Sequence, residues 1–86
     1  MDRIKLSIVT PGGTALEKNV AYVNIPTDFG SVGILPNHAP MVCCVKKGVL
    51  RCRTESGEEL RVLVASGIAS TEENEVTLLV SAAELP

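Results

Sequence analysis

His38 is the one histidine in the chain, so any imidazole-based proton transfer or nucleophilic triad rests on it. Its neighbours Asn37, Ala39 and Pro40 place it in a turn and supply no nucleophile. Two roles stay open for the ring: a local hydrogen bond inside the turn, or presentation to a partner. The three cysteines, Cys43, Cys44 and Cys52, are an odd set, which argues against a disulfide framework. Cys43 and Cys44 are adjacent, so in a strand they point to opposite faces. All three read as small hydrophobes in a reducing compartment. A metal site needs ligands at workable spacing, and one histidine with no Cys-x-x-Cys does not supply it. Ala65-Ser66-Gly67 lacks the preceding Gly-x of a nucleophile elbow. Gly12-Gly13-Thr14 lacks the Gly-Lys-Ser/Thr that grips phosphate. Gly30-Ser31-Val32-Gly33 leads into no helix whose N-terminus would face a nucleotide. Glu58, Glu59, Glu72, Glu73 and Glu75 fall at turns, where solvation accounts for them. These residue types predict no catalytic residue, no cofactor and no metal.

What they do suggest is docking. Residues 25–40, Ile-Pro-Thr-Asp-Phe-Gly-Ser-Val-Gly-Ile-Leu-Pro-Asn-His-Ala-Pro, hold three of the five prolines and two of the seven glycines. Proline fixes φ and removes a backbone donor, so three this close forbid one long regular element. Gly30 and Gly33 permit backbone angles that other residues avoid. Yet the stretch is apolar: Phe29, Val32, Ile34, Leu35 and the following Met41 lie in or beside its turns. A rigid, apolar, turn-rich surface predicts a partner, with Phe29 and Met41 on the outside.

The elements that must position this surface are strands. Eighty-six residues make a single domain, 1–86, rich in Val, Leu, Ile and Ala, with one Phe, one Tyr and no Trp. Ile4, Leu6 and Ile8 alternate with polar residues, and Pro11-Gly12-Gly13 ends that strand. A short strand over residues 14–19 and another over 20–25 follow, the latter with Ala21, Val23 and Ile25 on one face. Met41-Val42-Cys43-Cys44-Val45 is apolar on both sides, which predicts a strand covered on both faces. Leu50 and Cys52 face one way and Arg51 and Arg53 the other. The two arginines are expected to meet acids across the hairpin at Glu55-Ser56-Gly57-Glu58. Leu60, Val62 and Val64 return, short strands follow around Ile68 and over 75–80, and residues 82–86 are too few for a stable helix. The spacing predicts an all-β sandwich or barrel of about ten short strands.

Eight basic and ten acidic residues give a net charge of −2, with no basic stripe and almost no aromatic platform, which excludes nucleic acid as the partner. Apolar runs are far shorter than the ~18–20 residues of a membrane helix, and no signal peptide is legible. The chain is therefore expected to be soluble, or peripheral to something membrane-bound.

The central residues also resemble a known family. Pro26-Thr27, then Gly30-x-x-Gly33-Ile34-Leu35-Pro36-x-His38-Ala39-Pro40, is similar to the signature of the ATP synthase epsilon subunit. Leu6-x-Ile8-Val9-Thr10-Pro11, Gly48-Val49-Leu50-Arg51, Val64-x-x-Gly67-Ile68 and Asn74-x-Val76-Thr77-Leu78-Leu79 resemble its other strands in order. The resemblance implies a flattened β-sandwich of about ten strands and a non-catalytic place in the central stalk of the rotary synthase. It implies that the sandwich clasps the gamma subunit and rests on the c-ring loops, with membrane contact only through the complex. By position, Phe29, Ser31, Val32, His38 and Met41 form the ring end, and Thr10, Val42 and Cys43 the gamma side. Ser31 departs from the pattern, since many members carry Glu there, so a charged contact to the ring is missing or weaker. The family's C-terminal helical hairpin lies beyond these residues, so no inhibition or ATP binding through it is expected of them. The default location is the cytoplasmic face of a bacterial membrane. The rival reading is an unrelated β-sandwich module that binds a protein or ligand through the 26–40 edge.

Overall fold

The computed structural model describes residues 3–85. Nine strands follow in order: β1 Ile4–Thr10, β2 Gly13–Thr27, β3 Gly30–Ile34, β4 Met41–Val45, β5 Gly48–Thr54, β6 Glu59–Val64, β7 Gly67–Glu72, β8 Glu75–Val80 and β9 Ala83–Glu84. Hydrogen bonding runs β4-β7-β8-β1-β2-β5-β6-β9, with β3 also on β2. Every pairing is antiparallel except β1 with β8, which is parallel and needs the rest of the chain as its crossover.

Nine strands agree with the expected all-β fold of about ten; what is corrected is the division of β2. Residues 14–19 and 20–25 are one strand of 15 residues. Val20 pairs with Thr54, but Tyr22 pairs with Arg53, so Ala21 is an extra residue opposite one step of β5. Such a bulge bends the strand and resets its alternation. Before it Leu16 and Val20 point inward; after it Val23 and Ile25 do. Ala21, expected to share a face with Val23 and Ile25, is the residue the bulge displaces, and Val20 is buried in its place.

The bend lets β2 serve two layers. Its first half pairs with β1, and its second half is flanked by β3 and β5. The sheet thereby closes over its own inner face, where Ile4, Leu6, Ile8, Val23, Ile25, Leu50, Val62, Val76 and Leu78 form one core. Burying each such side chain is worth about 1.5–3 kcal/mol, which is why strict alternation holds where the face is inward. β2 runs through Pro26 because that residue's missing N–H is not needed there, and its carbonyl accepts from Lys46 N–H at 2.9 Å.

Two further expectations are corrected. β4 is covered on one face only, since Val42 is 72% exposed and Cys44 is exposed as well. Arg53 does meet an acid, Glu59 at 4.0 Å, but Arg51 stands directly across from Arg61. The register, set by the hairpin and not by charge, puts like charges together.

Candidate partner interface

The β2–β3 turn is built to expose Phe29. Thr27 Oγ1 accepts the Phe29 N–H at 3.2 Å and donates to the Gly30 carbonyl, and Gly30 closes the turn at φ +102°. That conformation costs a residue with a Cβ and is free for glycine. The Phe29 side chain is left 100% exposed. There Thr27, Asp28, Phe29 and Val32 join Val42, Cys43 and Cys44 of β4 in lining a cleft of about 330 Å³. Residues expected at two different contacts, Phe29 with Val32 and Val42 with Cys43, thus meet in one place.

Ser31 and His38 lie apart from that cleft. Ser31 is exposed on β3 opposite Pro26. His38 lies beyond the far end of β3, in the loop before β4. Its half-buried ring makes the local bond, Nδ1 donating to the Ala39 carbonyl at 2.7 Å. The loop is held from outside: Asn37 N–H donates to Asn74 Oδ1 at 2.6 Å, and Asn74 Nδ2 donates back to Asn37 Oδ1 at 3.3 Å. Asn37 and Asn74 both sit at positive φ, 67° and 62°, a conformation that asparagine tolerates better than most residues. Met41, expected outside, is half-buried and packs on the core.

Thr10 stands at the other end of β1. Its hydroxyl is used by its own turn, accepting from Gly12 N–H at 3.2 Å and donating to the Gly13 carbonyl at 3.1 Å. Cys43 turns toward the core side of β4, while Val42 and Cys44 turn outward. Burial pushes the Cys43 thiol up, and the Cys44 beside it adds to the shift; burial also raises Cys52, with Lys18 lowering it and Glu59 raising it. Thiols so held are poor nucleophiles. Among the described residues, no group of three His, Cys, Asp or Glu side chains is placed to hold a metal ion.

The register reveals a surface that residue-by-residue reading passed over. Cys44 lies beside Ile68, Ile68 beside Leu79, and Leu79 beside Val9; next to them run Val42, Ser70, Thr77 and Ser7. None of the eight is charged. Ile68 is 51% and Leu79 57% exposed, so with Val42 they make an apolar patch on the outer face of β4, β7, β8 and β1. The legible signal was the doubled apolar run, Cys43-Cys44 and Leu78-Leu79, in strands where alternation would otherwise put a polar residue outside.

The fold and the site together are a small all-β sandwich domain that carries two apolar surface patches. Residues 3–86 match the family described as ATP synthase, Delta/Epsilon chain, beta-sandwich domain, and the chain belongs to that family. It is 44% identical over 86 residues to the ATP synthase epsilon chain of Symbiobacterium thermophilum, covering 99% of this chain and 61% of that protein. It is 40% identical over 81 residues to the epsilon chain of Synechococcus elongatus, covering 94% and 58%. With that of Alkalihalophilus pseudofirmus it shares 37% over 86 residues, covering 100% and 64%. The chain therefore spans 58–64% of the length of these relatives. The fold matches a chain in the OSCP/F1/c-ring structure of the Euglena gracilis mitochondrial ATP synthase, with a TM-score of 0.92 at 23% identity over 99% of this chain and 54% of that one. A chain in the central stalk/c-ring structure of the Tetrahymena thermophila enzyme matches at a TM-score of 0.76, with 15% identity over 93% and 64%.

Proposed function

We propose that the chain is a non-catalytic subunit of the central stalk of a rotary ATP synthase, joining the gamma subunit to the c-ring so that ion-driven rotation is coupled to ATP synthesis. The observation that carries this is the exposed apolar patch of Val42, Ile68 and Leu79 on the outer face of β4, β7 and β8, on a domain of this family. An exposed apolar patch on so small a domain calls for a covering partner. In this reading the gamma subunit covers Val42, Ile68 and Leu79, with Thr10 at the rim and Cys43 behind Val42. The β2–β3 turn and the β3–β4 loop, carrying Phe29, Ser31, Val32, His38 and Met41, turn toward the c-ring loops. The subunit then needs no cofactor, and it meets the membrane only through the complex, on the cytoplasmic side in a bacterium.

The test is reconstitution onto synthase stripped of its epsilon subunit. Val42→Asp, Leu79→Asp and Phe29→Asp are expected to keep the β-type circular dichroism spectrum while weakening retention. Burying a lone carboxylate in an apolar contact costs about 2 kcal/mol or more, roughly 30-fold in affinity. Unaltered retention of all three variants at moderate salt would overturn the assignment. So would binding to neither gamma nor c-ring by the unmodified chain.

A further inference from the structure

The opposite outer surface, on β5 and β6, is charged in a way the fold does not balance. Arg51 faces Arg61 across the hairpin and Arg53 faces Glu59. Like charges directly opposite in an antiparallel pair, with Cβ atoms about 5 Å apart, destabilise it. Glu59 is shared: one carboxylate oxygen is 3.7 Å from Arg61 and the other 4.0 Å from Arg53. Arg53 also lies over the Tyr22 ring at 5.5 Å. Among the described residues no carboxylate lies within ion-pairing distance of Arg51. Three arginines against one glutamate therefore occupy one exposed face of a chain whose net charge is −2.

Next to the arginine pair, one two-residue step along both strands, stands the pair Val49 and Leu63, 41% and 50% exposed. The surface thus offers a basic row and an apolar row about 7 Å apart. We propose that this face docks an acidic amphipathic helix of a partner protein, its carboxylates over Arg51 and Arg61 and its apolar residues over Val49 and Leu63. Side chains four apart on a helix are separated by about 6 Å along its axis, which matches the two rows. Arginine presents a planar fork of donors suited to carboxylates. The cleft that Arg61 lines with Leu60 and Leu85 also holds the Glu59 carboxylate, which disfavours a small anion there. A uniformly anionic bilayer is disfavoured by Glu84, paired beside Leu63, and by Glu59 within the basic rows. The docking site is independent of the stalk assignment, which concerns the other face.

The test is a nuclear magnetic resonance titration of the chain with a synthetic helix carrying glutamate and leucine at i, i+4 spacing. A glutamine version of the helix, inorganic phosphate and phosphatidylglycerol vesicles are run in parallel. Saturable shifts confined to the amides of residues 49–53 and 59–63, with the glutamate helix alone, are the result expected. The double variant Arg51→Thr/Arg61→Thr is expected to bind that helix about tenfold more weakly and to melt a few degrees higher, because the repulsive pair is gone. The proposal is overturned by absent shifts, by equal binding of the glutamine helix, or by phosphate or vesicles binding as well as the glutamate helix. It is also overturned if the double variant binds as tightly as the original or melts lower.

Discussion

Gly67→Ala should be among the most damaging small changes the chain can suffer. Gly67 pairs with Val80 of β8 on one side and Val45 of β4 on the other. A Cβ built on Gly67 runs into the Leu79 carbonyl oxygen, and lies 2.7 Å from Val80 Cα and 2.9 Å from the Leu79 carbonyl carbon. Carbon contacts are comfortable at about 3.5–4.0 Å, and all these neighbours are backbone, so no side chain can rotate away. The strands must separate by roughly 1 Å at this point. The adjoining bonds, Ala65 N–H to the Ala82 carbonyl at 2.9 Å and Ser81 N–H to the Ser66 carbonyl at 3.1 Å, would be strained with them. Overpacking costs about 1–3 kcal/mol and a lost backbone bond about 1, so a loss near 3 kcal/mol is expected. For a domain this small that is a large share of the total stability, and it lowers Tm by roughly 12–24 °C. Urea unfolding followed by far-ultraviolet circular dichroism measures it, with Gly12→Ala as the control. There the nearest atom is Thr10 Oγ1 at 3.7 Å, an ordinary contact, and the change should stay within about 0.5 kcal/mol. Equal midpoints for the two variants would refute the close-approach explanation of Gly67.

Three other outcomes follow from the packing. Leu78→Ala removes a fully buried side chain from the core and should cost about 2–5 kcal/mol by the same urea measurement. The Cys52 thiol, raised first by burial, stays protonated in the fold while the unfolded thiol ionises near pH ~8.5. Its contribution is whole below that pH and is lost as pH climbs through the folded value, so stability should fall from pH ~8 to ~10 more steeply in the original chain than in Cys52→Val. Asn74→Asp replaces the donor that faces Asn37 Oδ1 with an acceptor, and hydrogen exchange in the 35–40 loop should quicken severalfold while the core amides are unchanged.

Much of this protein is legible along the chain. Alternation at Ile4, Leu6 and Ile8, or at Leu50 and Cys52 against Arg51 and Arg53, is a local period-two pattern, and it marks the inward face before any partner strand is known. The Pro/Gly signals around residues 26–40 locate the turn that exposes Phe29, because proline and glycine act on their own backbone angles. The ordered run from Gly30 to Pro40 also pointed to the family. What the tertiary structure decided is pairing. The bulge at Ala21 made one bent strand where the alternation suggested two, because an extra residue is visible only against β5. The register of β4, β7, β8 and β1 turned four scattered residues, Val9, Val42, Ile68 and Leu79, into one apolar patch. The same cause set Arg51 against Arg61 and not against an acid, and carried Val42 to the cleft beside Phe29. A side chain's direction is dictated within two residues of it, but its neighbours are chosen by strands many residues away.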